Sequence, residues 1–542
     1  MNWFAEHLPI LPVLLPAATA MLLLIIGDHG GDAHGGHGHH KLLWARRIAL
    51  ASTLLFLVIC ARLATEAAGG EIRAYRVGDW PAPYGIVLVI DRLGAMMLTL
   101  TAVVALPVLW YATGGWDAHG RHFHALFQFQ LMGLAGAFVT GDLFNLFVFF
   151  EVLLIASYVL MLHGQGRERF RAGLHYVVLN LAASALFLVG VALLYAKTGT
   201  LNLADLAMRV PKVTAPESLI VQSAGLLLLV VFGFKAALMP LTLWLPATYS
   251  AASAPVAALF AIMTKVGVYA IVRVHGVVFG AGAGDSALTV EPLLLPLALA
   301  TSVMGVLGAL AARTLSRLVA WLTVASVGTV LAALGLFSTA AWSAALYYMA
   351  NSTLVVAGLF LLAELVGAQR GDVADRLEPA SPVAQPALLG LLMLLAAASA
   401  AALPPLPGFI GKLMILEAAS PHAWQAAIWI VVLGVGFLTL VGLARAGSVL
   451  FWHMRPDLPP CGDAGASPKL IGATVALLAA TVLMSVFAAP LARYTTAAAE
   501  QLQDRKAYAR AVLGDDERDT TRPYRFERRT PPGAAPSTEP RR

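Results

Sequence analysis

Four ionisable side chains stand where the sequence provides no water for them: Glu151, Lys235, Lys265 and Lys412. Glu151 lies in the run Phe144-Asn145-Leu146-Phe147-Val148-Phe149-Phe150-Glu151-Val152-Leu153-Leu154. Counted from Asp142, where that run opens, it is about 14 Å deep at about 1.5 Å of helix rise per residue. Lys235 follows Val231-Phe232-Gly233-Phe234, Lys265 follows Ala261-Ile262-Met263-Thr264, and Lys412 follows Phe409-Ile410-Gly411. Holding such a group at the centre of an apolar layer costs at least ~2.5–3.5 kcal/mol. Snorkelling offsets that cost only near a helix end, and these positions are central. A single deep charge can be structural, as half of an ion pair inside a bundle. One acid and three lysines on separate runs point instead to a proton path. Desolvation favours the neutral form of both side-chain types, so a buried Glu and a buried Lys placed together can exchange a proton at a modest driving force.

Two of these runs carry helix breakers. Pro240 removes the amide that would bond the carbonyl of Ala236, and Pro246 does the same for Thr242. Pro404, Pro405 and Pro407, followed by Gly408, interrupt the run that leads to Lys412. Pro240 and Pro407 each stand five residues from a buried lysine. Broken helices at mid-depth, lining an ion site and occurring in paired repeats, are a recurring transporter device. Such backbone is tolerated only beside protein or water.

The elements that position these residues follow from composition. The 542 residues are 59% hydrophobic and 12% charged, against about 25% charged in soluble domains. Apolar runs of about 20 residues, enough to cross a hydrocarbon core of about 30 Å, recur from 8–27 to 468–490. We read about fourteen transmembrane helices, the third over 86–112 and the twelfth over 386–417, in an all-α polytopic membrane fold. The spans distribute as helices 1–3 in 1–112, five spans in 113–275, five more in 293–450, a last helix in 451–490, and a polar tail over 491–542. Thr495 to Val512 is expected to form a surface helix and the remaining tail to be disordered. The first run begins almost at Met1 without a basic leader or cleavage site, so it reads as a retained helix.

Orientation follows the basic residues of short loops. Lys41, Arg46, Arg47, Arg121, Arg167, Arg169, Arg171, Arg313, Arg317, Arg370, Arg376, Arg445 and Arg455 fall on one side if the spans alternate. That side is the cytoplasm, which leaves both termini on the opposite face. Arg73, Arg76, Arg209 and Lys212 run against the pattern, in longer loops with acids nearby. The net charge of +6 therefore reads as membrane orientation and gives no reason to expect nucleic acid as a partner.

Weaker features add little chemistry. Cys60 and Cys461 form neither a disulfide framework nor a metal pair. His29, His34, His37, His39 and His40 crowd a glycine-rich loop; with no acid or cysteine to fix a geometry, adventitious metal binding is the fitting reading. Asp91, Asp142, Glu364 and Glu417 lie near span ends, where capping and interface roles suit them. His175 is a candidate relay group. There is no Walker loop, dinucleotide fingerprint or HExxH in a suitable context, so no cofactor or structural metal is expected.

Taken together, the mid-span Glu151, the stretch from Phe234-Lys235 to Leu243-Trp244-Leu245-Pro246, Met263-Thr264-Lys265-Val266-Gly267-Val268-Tyr269 and Leu406-Pro407-Gly408-Phe409-Ile410-Gly411-Lys412 resemble the antiporter-like subunits shared by respiratory complex I and Mrp antiporters. The resemblance covers roughly residues 86 to 450. It implies fourteen helices with two inverted five-helix repeats, and a proton path through Glu151, Lys235, Lys265 and Lys412. The opening His7-Leu8-Pro9-Ile10-Leu11-Pro12 and the stretch Gly78 to Leu93 are similar to the D-type Mrp subunits. That implies exchange of cytoplasmic sodium or potassium for external protons, in a bacterial inner membrane, beside subunits of the A, B, C, E, F and G types. One departure concerns Tyr347-Tyr348-Met349-Ala350-Asn351-Ser352: relatives often carry histidine where this chain has Asn351. Asn cannot carry a proton, so either water bridges that step or Asn351 positions a neighbour. Two other classes remain open at this point. A pumping subunit of complex I or a membrane hydrogenase fits the same buried charges. A lipid-modifying enzyme would need its reactive groups near the interface, whereas these sit at mid-depth.

Overall fold

The computed structural model describes residues 6–27, 36–454 and 465–514. Among them, twelve helices are long and apolar enough to cross a membrane. They are α1 (Leu11–Ile26, entered through the turn Leu8–Ile10), α2 (Gly36–Ala68), α3 (Arg92–Ala112), α5 (Leu143–Leu162), α6 (Arg167–Thr198), α8 (Ser218–Ala236), α10 (Ala254–Ile271), α11 (Glu291–Leu310), α12 (Leu315–Leu334), α13 (Thr339–Ala368), α16 (Gln425–Phe451) and α17 (Pro468–Val486). Shorter helices complete the order: α4 (Phe123–Val139), α7 (Leu203–Arg209), α9 (Trp244–Ala251), α14 (Pro386–Ala401), α15 (Pro407–Ala419), α18 (Ala488–Gln503) and α19 (Arg505–Leu513).

Burial sorts these helices into a centre and a rim. The span containing α10 is buried along its whole apolar window, and α12 and α13 nearly so, whereas α1, α2, α6, α16 and α17 leave most of theirs exposed. A helix that is apolar on every side belongs inside a bundle. The exposed apolar side chains of the rim, such as Ile25, Val58, Leu394, Ile430 and Phe437, are what a lipid-facing surface requires.

Three expectations change in detail. The third span is expected over 86–112, but Val87–Ile90 is a β-strand, β2, paired antiparallel with β1 (Arg73–Arg76). Its Val-Leu-Val-Ile run is as apolar as a helix start, yet every residue is buried in a sheet ridge, and the helix begins only after Asp91 caps it by accepting from the Gly94 N–H at 2.8 Å. The expected twelfth span, 386–417, is two short helices, α14 and α15. The segment from Thr495 to Val512 is helical, but it is two helices parted at Asp504, and Thr495, Ala498, Ala499, Leu502, Tyr508 and Val512 are buried against the bundle. The loop arginines that ran against the charge pattern do have acids: Arg73 meets Glu66 at 2.6 Å and Arg209 meets Asp205 at 2.9 Å. His29, His34 and the last part of the tail lie outside the described residues.

Two halves of the chain repeat the same local geometry. The α5 cap Asp142 forms a β-bridge with Asn202, and the α12 cap Thr314 forms one with Arg376. Leu143 N–H donates to Leu201 O and Leu203 N–H to Gly141 O; Leu315 N–H donates to Asp375 O and Leu377 N–H to Arg313 O. The helix breaks match as well. α8 ends in the run Ala236-Ala237-Leu238-Met239-Pro240-Leu241 and α14 in Ala401-Ala402-Leu403-Pro404-Pro405-Leu406, each helix closing at the first alanine. Ala237 and Ala402 are both left-handed, with φ of 58° and 66°. Leu238 N–H bonds back to Gly233 O at 2.7 Å, and Leu403 N–H to Ala398 O at 2.8 Å. Two carbonyls freed by each break are thus satisfied by the same helix-ending turn.

Candidate functional site

The first chamber is built by α5, α6 and α8. Glu151, nine residues after the α5 cap, is half-buried, and its Oε1 accepts from Ser184 Oγ at 2.5 Å. Lys235, in the last turn of α8, is 6% exposed, and its Nζ donates to Asn180 Oδ1 at 2.9 Å. Asn180 and Ser184 are four apart on α6, so they share one face of that helix. The ammonium also lies 5.8 Å from the centre of the Phe150 ring, within an apolar wall that includes Phe187 and Phe232. Glu151 and Lys235 do not form an ion pair; each is held by a neutral partner on the same helix. Neutral partners stabilise a buried charge by hydrogen bonding without locking it to an opposite charge. Both groups can therefore change protonation without leaving a broken salt bridge behind.

Lys265, on α10, is 1% exposed, with Thr264 Oγ1 at 3.3 Å as its hydrogen-bond acceptor. Gly267 lets α10 lie against α8: a Cβ there would meet Ala236 N at 2.6 Å and Phe232 O at 2.8 Å. Further along the same face, Tyr269 donates to Phe138 O at 2.8 Å and accepts from Arg273 Nε at 3.2 Å. Arg273 is bidentate to Asp91, at 2.5 and 2.8 Å, and both are about 2% exposed. Asp91 is therefore a helix cap and one half of a buried ion pair. His275 lies two residues on, in a π-helical turn over Val272–Val278, between Phe232 and Phe279. Neither of its ring nitrogens has a hydrogen-bond partner among the described residues.

The second chamber holds Lys412, 6% exposed, with its Nζ 6.0 Å from the centre of the Tyr348 ring. A Cβ on Gly436 would stand 3.1 Å from that nitrogen. Asn351, fully buried, accepts from Ser399 Oγ at 3.0 Å, and its Nδ2 has no partner among the described residues. Asn351 and Lys412 line one cavity of about 30 Å³, room for about one water molecule. Thr323 stands in α12 where the repeated geometry puts Glu151 in α5, and it is fully buried with its hydroxyl turned to Val319 O. The second chamber thus has a lysine and no acid at that level. Its lysine follows the helix break, whereas Lys235 precedes its own.

Of the residues singled out by sequence, Glu151 and Lys235 share a chamber, Lys412 and Asn351 share another, and Lys265 stands on the central helix. Pro240, Pro404 and Pro405 lie inside the breaks, Pro246 in the first turn of α9, and Pro407 and Gly408 open α15. Pro is tolerated in a first turn because those amides have no intrahelical acceptor. A Cβ on Gly408 would meet Ser399 O at 2.0 Å, so only glycine allows α15 to start so close to the end of α14. His175 is exposed on the outer face of α6 and belongs to neither chamber. Sequence reasoning missed Asn180, Ser184, Arg273 and His275. The signals were present: Asn180 and Ser184 are polar at helical spacing inside an apolar run, and Lys265, Tyr269 and Arg273 recur every fourth residue.

On the side that carries the basic loops, Asp117 accepts from Arg46 at 2.6 and 2.8 Å and contacts His124 at 2.9 Å. Burial pushes its carboxyl up, but the hydrogen bonds and charges of Arg46 and His124 outweigh that and hold it at about 2.

The sequence profile of the family described as "NADH:quinone oxidoreductase/Mrp antiporter, TM" matches residues 140–439. A protein of Rhizobium meliloti, named as the D component of a probable K(+)/H(+) antiporter, is 40% identical over 550 residues, covering 95% of this chain and 98% of its own. One of Alkalihalophilus pseudofirmus, named as the D component of a Na(+)/H(+) antiporter, is 35% identical over 511 residues, covering 94% and 99%. Among solved structures, a chain of the Mrp complex from a Dietzia species superposes with a TM-score of 0.83 at 27% identity, covering 94% of this chain and 99% of its own.

Proposed function

This chain belongs to the membrane-protein family shared by NADH:quinone oxidoreductase and Mrp antiporters, as a D-type member, and we propose that it moves protons for a multisubunit monovalent cation/proton antiporter. The path runs through Glu151, Lys235, Lys265 and Lys412. The carrying observation is the first chamber, where a carboxylate and an ammonium sit close in an apolar pocket, each on a neutral partner of α6. A proton leaving Lys235 neutralises it, and one arriving at Glu151 neutralises that group in turn, so neither state strands a buried unpaired charge. Water in the second chamber serves Asn351, which positions and does not titrate. The exchanged cation is sodium or potassium, the two named for the relatives, and its route lies in the partner subunits.

Fourteen crossings follow if α4 and the α14–α15 pair are added to the twelve long helices. The mirrored bridges and breaks support two inverted repeats. In an inner membrane the basic loops then lie in the cytoplasm and both termini outside; a reporter after Gln165 reads cytoplasmic and one at the C-terminus external. A cytoplasmic C-terminus overturns that topology.

The decisive experiment expresses the whole complex in everted vesicles and follows cation-driven reversal of pH-dye quenching. Glu151→Ala abolishes exchange with assembly intact on a native gel, Glu151→Asp retains part, and Lys235→Ala is as severe as Glu151→Ala. Near-normal exchange by assembled Glu151→Ala removes the proposed path. Copurification with antiporter subunits, and not with quinone-reducing ones, separates this role from a pumping subunit of an oxidoreductase.

A further inference from the structure

A cavity of about 330 Å³ opens at the end of the bundle that carries the basic loops, between the two halves of the chain. Its wall includes Trp116, Arg169, Tyr249, Ser253, Glu364 and Asp375. At about 30 Å³ per molecule, it has room for on the order of ten waters. Glu364 stands there in the last turns of α13, half-buried. Its carboxylate accepts from the Trp116 indole N–H, and Ala254 lines the same cavity beside it.

Ala254 is the first residue of α10, the fully buried helix that carries Lys265 about three turns further in. Ser253, in the N-cap position of α10, makes no capping bond, and its buried hydroxyl has no partner among the described residues. Glu364, on another helix, lines the same cavity as this uncapped end. A carboxylate adds a negative charge at the positive end of the α10 dipole, and so adds a group whose hold on α10 changes when it is protonated. The charged and titratable groups acting on Glu364 are Arg169 from α6 and Tyr111 from α3. Arg169 is itself anchored to Ala251 O at 3.0 Å and stacked 5.1 Å from the centre of the Trp116 ring. Asp375, across the cavity, is engaged by the Ser316 N–H at 2.8 Å.

We propose that Glu364 is the proton-loading carboxylate of this water-filled mouth, and that its protonation weakens its electrostatic hold on the N-terminus of α10. Glu364 takes one proton from cavity water and returns it to the next group inward, with no other bond made or broken. This rests on the proton-path reading above.

The test uses the whole complex in everted vesicles, whose exposed face is cytoplasmic. Glu364→Gln keeps a carbonyl acceptor for Trp116 and loses the titrating acid. The expected result is intact assembly, exchange at least tenfold slower with an altered pH profile, and partial recovery in Glu364→Asp. A Glu364→Gln rate within twofold of wild type with an unchanged pH profile overturns the proposal, and so does failure of Glu364→Gln to assemble, which would make the residue structural. Independently, Ala252→Cys in a Cys60→Ser, Cys461→Ser background is expected to react with a membrane-impermeant thiol reagent, and the reaction to block exchange; no labelling overturns the water-filled mouth. Glu151→Ala is measured alongside. If it is inactive while Glu364→Gln is normal, only this inference falls; if it is active, the proton-path reading falls.

Discussion

Replacing Asn180 by leucine removes the acceptor that holds the Lys235 ammonium and keeps the branched shape of the side chain, at the loss of the Nδ2 donation to Tyr176 O. The bond is 2.9 Å long and buried. Hydrogen bonds to charged groups contribute about 1.5–3 kcal/mol. At about 1.4 kcal/mol per factor of ten, its loss corresponds to a change of ~10- to ~150-fold in the occupancy of the charged state. The Phe150 face, 5.8 Å away, remains after the substitution, and a desolvated cation–π contact is worth up to about 2 kcal/mol. The lower end of the range is therefore expected: exchange about tenfold slower, with the complex assembled. The assay is dye-quench recovery in everted vesicles, normalised to assembled complex on a native gel. An assembled Asn180→Leu complex exchanging within twofold of wild type would refute the idea that this neutral partner governs the lysine.

Three further outcomes are expected. Gly267→Ala drives a Cβ into the α8 backbone and should lower the thermal stability of the detergent-solubilised complex by about 1–3 kcal/mol, whereas Gly434→Ala, with nothing within 4 Å, should be neutral. Asp117, held at about 2 in the fold against about 3.9 when unfolded, contributes stability that is fully present above about pH 5 and is lost progressively as pH falls through about 4 and then about 2; the whole effect is about 2–3 kcal/mol. An acid melt of wild type against Asp117→Asn should show it, as a difference between the two that closes across that window. Expressed without its partners and reconstituted in liposomes, this chain should show little cation-dependent proton exchange, and robust exchange by the lone chain would place the cation route within it.

How much of this was legible in the sequence depends on the range of the forces involved. Hydrophobic length is a local property, so the long helices, the breaks at Pro240 and Pro405, and the depth of Glu151, Lys235, Lys265 and Lys412 could be read directly. The cost of burying a charge is likewise local, which is why those four residues announced themselves. Val87–Ile90 misled because an apolar run is equally compatible with strand and helix; its pairing with Arg73–Arg76 decided the matter, and that is a contact between separate segments. The partners of the buried charges were hidden for the same reason. Asn180 and Ser184 are ordinary polar residues until α6 is packed against α5 and α8, and Arg273 reads as a span-end arginine until Asp91 arrives from the start of α3. The sequence alone determined that protonatable groups lie inside the membrane. Only the tertiary structure decided that Glu151 and Lys235 rest on neutral neighbours and not on each other, because hydrogen bonding acts over about 3 Å and depends on which helix faces are brought together.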